Sequence, residues 1–128
     1  MQSDFAVQTQ ITGRTFTLVL SGELDLVSAP AVEKAIDELA PSDAELIVVD
    51  LRAVDFMDST GLHLLLRVHQ AAHESGRRFV LVRGREAVQR LFDLTGLAES
   101  LTVVDSPEQL LELEVDQARP ASLPARPD

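Results

Sequence analysis

The run Leu46-Ile-Val-Val49 constrains this chain more than any other stretch. Four consecutive β-branched and aliphatic residues read as a strand buried on both faces, and such strands belong to parallel sheets covered by helices. The run ends in acidic residues and leads into Asp50-Leu-Arg-Ala-Val-Asp-Phe-Met-Asp-Ser-Thr-Gly-Leu62, where the period changes. From there Leu62, Leu65, Leu66 and Ala72 keep one apolar side. Ser59, His63, Arg67, Gln70 and Glu74, at i, i+4, i+8, i+11 and i+15, keep a polar one. The spacing predicts a helix from Ser59 to about Ser75, closed by Gly76 in the left-handed conformation that glycine favours. In Asp58-Ser59-Thr60-Gly61, either Asp58 or Ser59 can be the N-cap. A hydroxyl here sits in the positive end of the helix dipole, a position that favours a phosphate.

The flanking segments extend the alternation. Phe5, Val7, Thr9 and Ile11 alternate with polar or small neighbours, Thr12-Gly13-Arg14 supplies a turn, and Phe16, Leu18 and Leu20 resume the pattern, which predicts an antiparallel hairpin. Ser21-Gly22-Glu23-Leu24-Asp25 ends it. Ser28 then caps a helix carrying Val32, Ala35, Ile36 and Leu39, with Pro30 in its first turn and Pro41 as its stop. After the central strand and helix come Phe79–Val82 as a strand and a helix from Glu86 to Thr95 with Val88, Leu91 and Phe92 inward. Gly96 stops that helix, and Leu97 closes back on it. Leu101–Val104 reads as a fifth strand. Ser106-Pro107-Glu108-Gln109 has capping-box spacing and opens a last helix docked by Leu110, Leu111 and Val115. The expectation is a single α/β domain over residues 1–116. It begins with an N-terminal β-hairpin and continues as alternating strands and helices, giving a mixed, mainly parallel sheet with helices packed on it. Residues 117–128, with Pro120, Pro124 and Pro127, are expected to be a disordered tail.

Charge and composition narrow the function. A formal net charge of −10 with no basic run argues against nucleic acid or anionic membrane as partner. Zero cysteines exclude disulfides and thiolate metal sites and fit a reducing compartment. No apolar run approaches the roughly 18 residues of a membrane span, and no signal segment opens the chain. A cytoplasmic protein, monomeric on its own and without metal or cofactor, is expected.

Four segments in order, Gly22-Glu-Leu-Asp25 with Ser28-Ala-Pro30, Val49-Asp-Leu51 with Phe56-Met-Asp-Ser-Thr-Gly-Leu62, Gly84 with Val88-Gln-Arg-Leu91, and Leu94-Thr-Gly-Leu97, carry a resemblance. Over about Phe5 to Val115 the chain resembles the STAS domains of bacterial anti-anti-sigma factors. The resemblance implies a non-enzymatic switch. Its unphosphorylated form binds an anti-sigma factor with serine-kinase activity and frees the sigma factor. Phosphorylation of Ser59 abolishes binding, and a serine phosphatase restores it. Thr60 is the second candidate hydroxyl. The expected partner-binding residues are Asp25, Ser28, Asp58, Ser59, Thr60, Gly61, His63 and Arg67, with Gln70 at the margin. Beside this stand the capping role alone for Ser59, and a STAS regulatory subunit of a transporter or stress-signalling assembly.

Other chemistries fail on specifics. Asp58-Ser-Thr-Gly61 differs from an aspartic-protease loop by an extra residue and has no second copy. Met57 replaces the first glycine of a nucleophile elbow. His69-Gln-Ala-Ala-His73 has the spacing of two metal ligands but lacks the glutamate of His-Glu-x-x-His and a third ligand. No P-loop is present. A receiver-type domain would accept a phosphoryl group on Asp50 at the end of the buried strand. It requires an acidic pair after the first strand and a lysine near Val103-Val104-Asp105, and neither is present.

Overall fold

The computed structural model describes residues 5–39 and 43–110, without the side chains of residues 97 and 98. Five strands form one sheet in the order β1-β2-β3-β4-β5. Strand β1 (Ala6–Thr12) pairs antiparallel with β2 (Thr15–Leu24). Strands β2, β3 (Leu46–Met57), β4 (Arg78–Val82) and β5 (Thr102–Val104) run parallel. Helices α1 (Ala29–Leu39), α2 (Ser59–Glu74) and α3 (Glu86–Thr95) make the connections, with a 3-10 turn at Leu97–Ser100 before β5.

Parallel neighbours taken in chain order put every crossover on the same side, so the three helices share one face of the sheet. Val32, Ala35 and Leu39 of α1, Leu62, Leu65, Val68 and Ala72 of α2, and Val88 and Phe92 of α3 pack there on Leu18, Leu20, Ile47, Val49, Leu51, Phe79 and Leu81. The alternate residues Leu46, Val48, Val80, Val82 and Val104 line the opposite face against Leu110. Both faces of the central strands are apolar, as the run Leu46–Val49 requires.

Two expectations change in extent. Strand β2 runs past Leu20 to Leu24, and β3 continues well past the run Leu46–Val49 to Met57. The pairing jumps from Val19↔Asp50 to Ser21↔Ala53 and again from Gly22↔Val54 to Glu23↔Phe56, so β3 carries an extra residue at each place. Such bulges break the two-residue alternation by which a strand is recognised. They leave Leu51, Val54 and Met57 buried at intervals of three. The bulged extension carries β2 and β3 beyond β4 and puts the start of α2 beside the loop that follows β2.

The glycines expected to end helices do so: Gly76 follows α2 with φ +78° and Gly96 caps α3 with φ +73°. Of the last helix, residues 108–110 are described as helical. Pro41, Leu111, Val115, the 117–128 tail and the closing contact of Leu97 lie outside the described residues.

Candidate functional site

Asp58 is the residue that caps α2. Its backbone is extended, and Oδ1 accepts hydrogen bonds from the amides of Thr60 at 2.9 Å and Gly61 at 3.2 Å. Ser59 is therefore the first helical residue, exposed, and its hydroxyl has no hydrogen-bond partner among the described residues. Either residue can be the cap by sequence, and the geometry separates them: the Asp58 carboxylate takes the first-turn amides and leaves the Ser59 hydroxyl out of the cap. Thr60 is half-buried, which makes it the less accessible hydroxyl.

Gly61 sets how close this helix comes to the sheet. A Cβ on it would lie 2.7 Å from Met57 Cγ, 2.8 Å from the Leu24 carbonyl oxygen and 2.9 Å from Leu24 Cγ. Only glycine fits, so the end of β2 and the first turn of α2 touch through backbone. The Leu24 carbonyl also accepts from the Asp58 amide at 3.4 Å. Gly61 is buried, and its role is this close approach.

The loop after β2 is braced from within. Asp25 Oδ1 accepts from the amides of Val27 at 3.0 Å and Ser28 at 3.2 Å. Ser28 Oγ donates to the Glu23 carbonyl at 2.7 Å and accepts from the Asp25 amide at 2.9 Å. This corrects the expectation of Ser28 as a helix cap: its side chain is buried and turned back into the loop, instead of capping α1. A buried hydroxyl needs partners, and this one finds them in the backbone of the loop itself. The bracing lifts Leu26 and Val27 into solvent, 73% and 78% exposed, and Phe56 on the neighbouring strand is 51% exposed. Sequence reading named the loop without these apolar residues. The signal was present in two adjacent aliphatics between polar turn residues.

Along α2, Ser59, His63, Arg67, Gln70 and Glu74 are all exposed on one stripe. Arg67 Nη2 meets Glu33 Oε2 of α1 at 2.9 Å, an exposed pair. The acids flanking the site are partly neutralised: Asp55 pairs with Arg85, at the N-cap of α3. No group of three or more His, Asp or Glu side chains that could hold a metal ion exists among the described residues. His69 is half-buried with its ring tilted against Phe79, centroids 5.6 Å apart, so it packs as a wall of the α2 and β4 contact.

Asp50 lies on the opposite face of the sheet, in line with Leu46 and Val48, and is 6% exposed. Arg52 closes over it, Nη2 to Oδ2 at 2.9 Å and Nε to Oδ1 at 3.1 Å, and the Arg52 amide takes Oδ1 as well. Donating these hydrogen bonds to Asp50 raises the Arg52 guanidinium pKa above its usual value. A carboxylate so covered does not match the open acceptor of a receiver domain, and that alternative is set aside.

The arrangement defines a class: a small α/β domain presenting one serine at a helix start beside a braced, apolar-tipped loop. The STAS domain profile matches residues 6–110, and the chain belongs to the STAS domain family. A protein of Staphylococcus aureus (strain NCTC 8325 / PS 47) described as an anti-sigma-B factor antagonist is 26% identical over 102 residues, 80% of this chain and 94% of that protein. The crystal structure of an anti-sigma factor antagonist from Mycobacterium paratuberculosis superposes with TM-score 0.77 and 28% identity, over 86% of this chain and 93% of the other. The fold also matches the anti-sigma factor antagonist SpoIIAA in its unphosphorylated form, at TM-score 0.72 and 22% identity, covering 85% of this chain and 96% of the other. Among the described residues no helix is long and apolar enough to cross a membrane.

Proposed function

We propose that this chain is a cytoplasmic anti-sigma factor antagonist. Unphosphorylated, it binds an anti-sigma factor with serine-kinase activity and releases the sigma factor. Phosphorylation of Ser59 ends the binding, and a serine phosphatase reverses it. The observation that carries the reading is the division of labour at the start of α2: Asp58 caps the helix, and the Ser59 hydroxyl is left exposed without a structural duty. The relatives named as antagonists and the STAS fold support the same direction.

The docking surface combines Ser59, His63 and Arg67 on α2, with Asp58 and Thr60 at its start. The loop from Asp25 to Ser28, with Leu26 and Val27 at its tip, completes it. Apolar side chains held out by an internally bonded loop supply area to bury at little ordering cost. A phosphate on Ser59 adds about −1.5 to −2 charges in the middle of that surface. In the free protein the dipole at the helix start tolerates the new charge, so the fold persists. In a docked complex the same group is desolvated next to Asp58, and association fails. The chain acts by being bound and modified, not by catalysis.

The test is incubation with the cognate kinase and ATP, then mass spectrometry to locate the phosphate. Modification at Ser59, absent in Ser59→Ala, is the expected outcome. Modification elsewhere, or an Asp50 acyl phosphate released by hydroxylamine, overturns the reading.

A further inference from the structure

The two edges of the sheet are unequal. Strand β5 is three residues long, Thr102–Val104, whereas β1 offers seven residues, Ala6-Val-Gln-Thr-Gln-Ile-Thr12, in unbroken register with β2. Edge strands in soluble proteins are ordinarily blunted by lysine, proline, a bulge or inward charge. Strand β1 has none of these, in a chain whose formal charge is −10.

The hairpin turn fixes which groups face outward. Thr12 and Thr15 flank a two-residue loop, with Gly13 at φ +60° and Arg14 without positive φ, the pattern of a type II′ turn. Residues flanking such a loop form a hydrogen-bonded pair, and pairs alternate from there. Thr12, Gln10, Gln8 and Ala6 therefore bond to β2, while the amides and carbonyls of Val7, Thr9 and Ile11 point away from the sheet. They meet no partner among the described residues.

The side chains of these same three residues share the α1 face, where Val7 packs against the main core. Ile11, two positions beyond Thr9, is 69% exposed. Between β1 and α1 lies a groove of about 340 Å³ whose lining includes Val7, Thr9, Ala31, Ala35, Lys34 and Glu38. Alanines at positions 31 and 35 keep it open.

We infer that β1 is a self-association edge, on which a second copy of this chain pairs antiparallel about Thr9 to continue the sheet across both molecules. The strand is self-complementary in that register. Val7 stands opposite Ile11 of the second copy, Gln8 opposite Gln10, and Thr9 opposite itself, so no charges are set against each other. The outward groups of Val7, Thr9 and Ile11 then form about six main-chain hydrogen bonds, two for each such pair. Ile11 of each copy comes beside Val7 and the mouth of the other's groove, where its exposed surface is covered. The occupant is a second copy because an uncharged strand matches itself, and Lys34 and Glu38 leave the groove wall balanced in charge. The inference departs from the expectation of a monomer, and it is independent of Ser59.

The experiment is sedimentation velocity on the full chain over a concentration series at low and high salt. Cross-linking of cysteine variants accompanies it and is clean because the chain has no cysteine. A mass rising toward two copies is expected. Association should tighten several-fold with salt, because two chains of charge −10 repel and the Debye length shrinks from about 10 Å at 0.1 M to about 3 Å at 1 M. Ile11→Lys, at an exposed position, should weaken association at least tenfold with an unchanged melting temperature. Thr9→Cys should cross-link as a dimer and Thr102→Cys, on the opposite edge, should not. A monomer at every concentration, a dimer indifferent to Ile11→Lys, or equal cross-linking at the two sites overturns the inference.

Discussion

Replacing Asp58 and Ser59 one at a time separates the helix cap from the switch. Asp58 Oδ1 satisfies two amides, of Thr60 and Gly61, that otherwise have no partner in the first turn. Removing a capping side chain costs about 1 kcal/mol, within a range of roughly 0.5–2. The lost charge at the positive end of the dipole adds about 0.3–1 kcal/mol. Asp58→Ala should therefore destabilise by about 1–2 kcal/mol, while Asp58→Asn, which keeps an acceptor but not the charge, should lose less. For a chain of 128 residues, 1 kcal/mol moves the melting temperature by about 4 °C. Ser59→Ala removes an exposed hydroxyl with no internal bond, and its effect should stay within about 0.5 kcal/mol. Urea denaturation with a shared m-value measures all three. A Ser59→Ala loss equal to that of Asp58→Ala would refute the division of roles, because the serine would then be part of the cap.

Other substitutions probe the rest of the site. Gly61→Ala should destabilise by about 1–3 kcal/mol by overpacking, although a helical glycine replaced without a clash usually gains stability. Its Cβ would meet the Leu24 carbonyl at 2.8 Å, and a neutral or stabilising result in urea would show that the contact yields. Arg52→Ala leaves the buried Asp50 carboxylate with only the Arg52 amide and should cost about 1–3 kcal/mol, checked by the same titration. Leu26→Ser with Val27→Ser, both exposed, should leave stability within about 0.5 kcal/mol and weaken binding to the anti-sigma factor at least tenfold by calorimetry.

Much of the architecture was legible because it rests on periodicity and punctuation. The doubly apolar run Leu46–Val49 implied a parallel sheet, and Gly76 and Gly96 marked helix ends by the one conformation they adopt easily. The second half of β3 was illegible because its two bulges space Leu51, Val54 and Met57 by three, which resembles a turn more than a strand. The stripe Ser59, His63, Arg67 was readable from helical spacing alone. The loop Asp25–Ser28 was not, since its shape depends on Ser28 bonding back to Glu23, a contact between residues five apart that no local preference encodes. Likewise the pairing of Arg67 with Glu33 and of Asp55 with Arg85 joins elements that only the sheet order brings together.

The most direct test of the Ser59 switch compares the affinity of the unphosphorylated and Ser59-phosphorylated chain for the anti-sigma kinase, with thermal melts of both forms alongside. The account predicts that phosphorylation weakens association by at least about a hundredfold, near 2.7 kcal/mol, while the melting temperature changes by no more than a few degrees. Equal affinity of the two forms, or a loss of binding accompanied by unfolding, would contradict it.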